Sequence, residues 1–143
     1  MKLITRDTDY AVRALTFISR RKKEVISVEE MVGSLRIPRS FLRQILQRLT
    51  NEGLLKSSRG AGGGFSLRRA PEKIFLIDLI GIFQGNLEFT EHTLKKKPCP
   101  HAKRCALKEE LDIIENCAIN RLKPITIASL IRKGAKKRRR KCK

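Results

Sequence analysis

Acidic residues are scarce in this chain. Only 14 Asp and Glu stand against 33 Lys and Arg among 143 residues, a formal charge of +19. An excess of this size points to a polyanionic partner, nucleic acid before membrane, because no basic helix with an exposed apolar face stands out. Long apolar runs are missing too, and nothing approaches the ~18 residues that a membrane span needs. Lys2, Arg6 and Asp7 bring charge in too early for a secretory hydrophobic region, so a cytoplasmic protein is expected. Four cysteines, Cys99, Cys105, Cys117 and Cys142, stand without an export signal. That disfavours a disulfide framework and leaves metal or redox chemistry as the question. No pairing of nucleophile with base, and no carboxylate pair, is apparent, which makes an enzyme the least expected class. What remains, with 41% hydrophobic residues, is enough to build one core and one domain, with at most an appendage.

The positive charge is concentrated but not confined. From Arg132 to Lys143 there are nine basic residues and no acid, and the rest of the chain still holds 24 basic residues against 14 acidic ones. Residues 132–143 therefore read as an unstructured basic arm that attracts phosphate without regard to sequence, or that merely solubilises the terminus.

Within the body, Ala11, Ala14, Leu15 and Ile18 recur at helical spacing and predict a buried amphipathic helix over 8–22. Ser27-Val-Glu-Glu30 is a capping box that opens a short helix ending near Leu35. Arg36-Ile-Pro38 predicts a turn, since proline disfavours helix at the preceding residue and suits a first helical turn. Leu42, Ile45, Leu46 and Leu49 then mark one face of a second helix that stops before Gly53.

Two short helices joined by a tight turn make a helix-turn-helix, whose second helix enters the major groove. Its polar side carries Arg39, Ser40, Arg43, Gln44, Gln47 and Arg48, residue types that bond guanine, adenine or phosphate. Behind it, Leu54–Ser58 and Phe65–Arg68 predict two strands around Arg59-Gly-Ala-Gly-Gly-Gly64. Such a hairpin has almost no side chains at its tip and can approach another backbone closely. It is a wing, with Arg59 poised for a minor groove. A nucleotide-cradling loop is disfavoured, because the Gly-Lys-Ser/Thr ending is missing and no helix follows directly. The candidate DNA contacts are Ser27, Arg39, Ser40, Arg43, Gln44, Gln47 and Arg48, with Arg59, Gly60 and Gly62 of the hairpin.

Ile74–Phe83 predicts an apolar helix closed by Gly85. Further on, Leu107, Leu111, Ile114, Ala118 and Leu122 form a stripe that asks for a partner, most simply a second copy of the chain. The expected fold is mainly α with a small β-hairpin wing. Residues 1–85 would be the winged helix-turn-helix domain, 86–103 a loop, 104–131 the dimerisation helix and a short terminal helix, and 132–143 the tail.

This order of parts resembles the Rrf2 family of bacterial winged-helix transcription regulators, of the IscR and NsrR type. The resemblance runs from Thr8 to Ile131. Its most specific segments are Thr8-Asp-Tyr-Ala-Val-Arg-Ala14, Phe41-Leu-Arg-Gln-Ile-Leu-Gln-Arg-Leu49, Gly53-Leu-Leu-Lys-Ser-Ser-Arg-Gly-Ala-Gly-Gly-Gly-Phe65 and Cys99-Pro-His-Ala-Lys-Arg-Cys105-Ala-Leu107. It implies a homodimer on a pseudo-palindromic double-stranded DNA operator, acting as a repressor. Ala61 stands where a wing proline is common, and Arg43 where some members carry an acid, so no operator sequence carries over. Many members hold an iron-sulfur cluster through three cysteines and one variable residue. Cys99 and Cys105 match two of these, His92 stands near the place of the missing first, and Asp9 matches an acidic ligand that in some members comes from the other subunit. The set His92, Cys99, Cys105 and Asp9 implies a 2Fe-2S cluster rather than 4Fe-4S, since histidine ligation is known for two-iron centres. Zinc fits the same donors, and His101 could substitute for His92 or Asp9. A cluster-free regulator of the same fold and a non-specific nucleic-acid-coating protein are the competing readings.

Overall fold

The computed structural model describes residues 3–21, 25–87 and 105–140, the last five of these as backbone alone. Among the described residues six α-helices and one hairpin follow in the order α1 (Arg6–Arg20), α2 (Val28–Leu35), α3 (Arg39–Asn51), β1 (Leu55–Ser58), β2 (Gly64–Leu67), α4 (Leu76–Gln84), α5 (Ala106–Leu122) and α6 (Ile127–Arg140), with a single 3-10 turn (Pro71–Lys73) before α4. This is the expected fold class, mainly helical with a two-stranded antiparallel wing.

The first helix starts two residues earlier than its apolar spacing suggests, with Thr5 as its cap. Thr8 is fully buried, and its hydroxyl donates to Gln84 Oε1 at 3.0 Å. The same oxygen accepts the Thr5 amide at 2.9 Å. A buried hydroxyl without a partner costs about 1–3 kcal/mol, so the two ends of the winged module are joined here by necessity. The capping residue of α2 is as expected, with Ser27 Oγ accepting from the Glu30 amide at 3.1 Å. Arg36 ends that helix in the left-handed region at φ 54°, and Ile37 is then driven into the core.

Leu42, Ile45, Leu46 and Leu49 of α3 are all buried, together with Ala11, Ala14, Leu15 and Ile18 of α1, Met31 of α2 and Leu54 and Leu55 below the wing. Each large side chain buried in this way contributes about 1.5–3 kcal/mol. The apolar side of α3 is thereby fixed inward, and its polar side outward.

The wing is tied to the body by a third extended segment. Ile26 exchanges both backbone hydrogen bonds with Phe65, at 2.9 and 2.8 Å. Gly64 makes this approach possible, since a Cβ there would lie 2.2 Å from the Ile26 carbonyl oxygen.

Two expectations are corrected. Ile74 and Phe75 are extended rather than helical, because they pair with the chain just before α6. Phe75 bridges Thr126, the Leu76 amide donates to Ile125 at 2.8 Å, and the Ile127 amide donates to Ile74 at 3.0 Å. These bonds dock α6 on the module. Nor does the basic segment begin an unstructured arm at Arg132, for α6 continues through Arg140. Lys, Arg and Ala are strong helix formers, no proline interrupts them, and the docked first turn supplies the nucleus that an isolated tail would lack.

The α5 stripe finds only part of its burial within the chain. Leu122 is buried, while Leu107, Ile113 and Ile114 are 69%, 61% and 52% exposed. Among the described residues, no helix is long and apolar enough to cross a membrane.

Candidate nucleic-acid interface

With Leu42, Ile45, Leu46 and Leu49 facing in, the 100° step of the helix puts Ser40, Arg43, Gln44, Gln47 and Asn51 at the centre of the opposite side of α3. Of these, Asn51 was missed by the sequence reading, although it lies one turn beyond Gln47. The Gln47 amide donates to Asn51 Oδ1 at 3.4 Å, a long bond that leaves both groups available.

Arg39 and Arg48 lie at the two margins of this face and are engaged. Arg39 pairs with Glu29 of α2, and the Arg48 guanidinium lies 5.4 Å from the centre of the Phe83 ring on α4. Ser27, at the start of α2, is likewise occupied as a cap. Arg39 and Arg48 are as exposed as Arg43, Gln44 and Gln47, and what sets them apart is the partner on another helix that holds each of them.

Arg43 and Gln47 share a cleft of about 480 Å³ with Glu29, Ser57, Arg59 and Gly60. Its walls are the polar side of α3, the first turn of α2 and the base of the hairpin loop. Arg59 is exposed and stands at the turn from β1 into the loop, where Gly60 and Gly62 adopt φ of 98° and 76°. Residues with side chains rarely take such angles, so the loop stays narrow by the backbone it requires. A helix with its side chains is about 10–12 Å across and the major groove about 12 Å wide, so α3 is of a size to enter one. Glu29, the acid among these bases, is held by Arg39.

The family model described as Rrf2, iron-dependent transcriptional regulator, matches residues 4–133. The chain belongs to the Rrf2 family. It is thus a DNA-binding transcriptional regulator with the family's winged-helix fold. An HTH-type transcriptional regulator NsrR from Bacillus licheniformis is 27% identical over 133 residues, 92% of each chain. Among solved structures, CymR, the global cysteine regulator of B. subtilis, superposes with a TM-score of 0.73 at 24% identity, covering 93% of this chain and 98% of that one. The IscR of T. potens gives 0.73 at 23% identity, covering 94% and 88%. At these identities the two structures establish the shared fold.

The candidate metal ligands of this Rrf2 protein are placed only in part. His92 and Cys99 lie outside the described residues, as does His101. Cys105 precedes α5 as its cap residue and is half-buried. Lys108, one turn on, is bound to Asp112, and that carboxylate holds its ammonium above the usual lysine range. Asp9 lies in the first turn of α1, where its carboxylate is 2.9 Å from Arg13 Nε. Among the described residues no three His, Cys, Asp or Glu side chains come together as a metal site.

Proposed function

We propose that this Rrf2 protein is a homodimeric repressor that reads a pseudo-palindromic operator and responds to an iron-sulfur cluster. The observation that carries the DNA reading is the meeting of Arg43, Gln47 and Arg59 around one cleft. Arg43, Gln44 and Gln47 read base edges in the major groove, while Ser40, and the hydroxyl proton that Ser27 does not use in capping α2, bond phosphates and Arg59 enters the adjacent minor groove. Gly60 and Gly62 let the wing backbone approach the duplex. The exposed side of α5 supports the dimer, which presents two α3 helices about one helical turn of DNA apart.

His92, Cys99 and Cys105 of one protomer, with Asp9 of its partner, would hold the cluster. That reading draws on the family's description as iron-dependent and on a donor set of two thiolates, an imidazole and a carboxylate. A bound cluster supplies a state that can be lost or changed, and the affinity for DNA follows if the two states differ by a few kcal/mol in operator binding. The chain's own part is geometric. Cys105 is joined directly to α5, so whatever Cys105 binds bears on the helix that sets the spacing of the two α3 helices. A cluster-free regulator is the second reading, and it is favoured by the Arg13 partner already on Asp9.

Arg59→Ala tests the interface. Against duplexes selected from a random library by the full chain, it should bind about 1–3 kcal/mol more weakly and lose preference at A·T positions. Unchanged affinity and preference would remove the wing from DNA recognition.

The cluster is tested by anaerobic purification with iron and sulfide assays. The wild-type chain is expected to carry both in equal amounts with a visible absorption band, and His92→Ala to retain little of either while remaining folded and dimeric. Because imidazole must be unprotonated to ligate, retention should fall as the pH drops through the histidine range. Zinc in place of iron would move the proposal to the other metal that fits these donors, and absence of any metal would leave the cluster-free regulator.

A further inference from the structure

The basic helix α6 is the element whose chemistry α3 and the wing do not use. Its first turn is anchored, with Ile127 fully buried, Ala128 nearly so, and Leu130 and Ile131 packed against the core. Thr126 and Ser129 cap the start reciprocally at 3.0 and 3.1 Å. Opposite that inward side Arg132 and Lys133 are exposed, and the helix backbone runs on to Arg140 through Lys136, Lys137, Arg138, Arg139 and Arg140. No acidic residue occurs from Ile127 to Lys143.

The point at which α6 leaves the body is also defined. A Cβ on Gly134 would lie 3.0 Å from Nη2 of Arg20, the last residue of α1. Arg21, the next residue, is 3.6 Å from Glu30 of α2, and the neighbouring Glu29 lines the cleft with Arg43, Gln47 and Arg59. These contacts lead from α6, which packs on α1, through the C-terminal end of α1 to the first turn of α2, whose Glu29 lines the proposed DNA face.

We infer that α6, with Arg20 at its side, is a second DNA-binding element, a stiff helix that lies along the sugar-phosphate backbone outside each half-site. The inference rests on the reading of α3 and Arg59 as the operator-binding face. From Ile131 to Arg140 the helix extends about 14 Å at ~1.5 Å per residue, the length of roughly four phosphates along one strand. Duplex DNA fits better than a membrane surface. The apolar residues of α6 are already packed against its own domain, which leaves a charged side with nothing to insert into lipid.

The test uses duplexes selected by the full-length protein from a random library, either with natural flanks or trimmed to the enriched palindrome. Wild-type protein should protect backbone beyond the palindrome from hydroxyl radicals, and bind the trimmed duplex about tenfold more weakly at low salt. A variant with Lys136→Glu, Lys137→Glu, Arg139→Glu and Arg140→Glu should lose the flank protection, and its affinity should depend on salt with a slope lower by about three. Ala135→Pro keeps every charge but breaks the helix before the basic turns, and it too should lose the flank protection, while all variants keep the same preferred palindrome and thermal midpoint. Flank protection that survives in Ala135→Pro overturns the inference in favour of a flexible arm. Affinity indifferent to the flanks overturns it as well, and so does wild-type binding to phosphatidylserine vesicles without flank protection on DNA. A selection that enriches no common sequence fails earlier, at the reading of α3 and Arg59, and this inference falls with it.

Discussion

Gly64→Ala should lower the thermal midpoint by about 5–15 °C and weaken operator binding at least tenfold, an unusually large effect for one methyl group. The added carbon would lie 2.2 Å from the Ile26 carbonyl oxygen and 2.6 Å from its carbon. Both are backbone atoms and cannot swing aside. Either β2 or the Ile26 segment must move, and the two hydrogen bonds between Ile26 and Phe65 are lost or lengthened. At about 0.5–1.5 kcal/mol each, with disturbed packing of Phe65 added, the cost is about 2–4 kcal/mol. For a domain of this size each kcal/mol moves the midpoint by roughly 2–4 °C. Binding suffers because Arg59 is carried by the same hairpin. Gly33→Ala is the control, since nothing lies within 4 Å of its added carbon and it sits inside α2. There the exchange should stabilise by roughly 0.5–1 kcal/mol. Thermal melts followed by circular dichroism compare the two. Equal midpoints would mean that the wing is not tied to the body through Ile26.

The second large effect is expected at α5. Replacing Ile113 and Ile114 together by Asp should convert the proposed dimer to a monomer, as read by sedimentation equilibrium, and weaken operator binding by a hundredfold or more. These side chains are 61% and 52% exposed on the single chain, so the substitution removes little from the protomer's own core. Buried in a dimer, the same positions would bring paired charges into an apolar seam, which costs several kcal/mol per unpartnered ion. Operator affinity follows because the second half-site is engaged at the effective concentration set by the first, a gain of about 10²–10⁴. A double variant that remains dimeric would place the interface elsewhere than α5.

The α5 helix also shows where a one-dimensional pattern stops. Its apolar residues were visible as a stripe centred on Leu107, Leu111, Ile114, Ala118 and Leu122. Tertiary structure divides that stripe, because Leu122 is taken into the chain's own core with Leu76 and Ile80. Ile113 and Cys117 join the exposed side instead. Spacing reports that a helix is apolar on one side but not which neighbour covers it.

Local chemistry determined the helix-turn-helix, the capping of α2 by Ser27 and the glycine-rich wing, since each depends on residues a few positions apart. The polar residues of α3 were legible for the same reason: four buried aliphatics at helical spacing leave Arg43, Gln44 and Gln47 nowhere else to point. Only the tertiary structure separated these side chains from Arg39, held by Glu29 of α2, and Arg48, laid on Phe83 of α4. It alone allowed Thr8 to be buried, because Gln84, far along the chain, accepts from its hydroxyl. It also turned the basic terminus from an arm into a helix, by pairing Ile74 and Phe75 with the residues just before α6. These outcomes share one cause. Each is set by a partner distant in sequence, and the free energy of a buried hydrogen bond or contact depends on whether that partner arrives, which spacing within a segment does not encode.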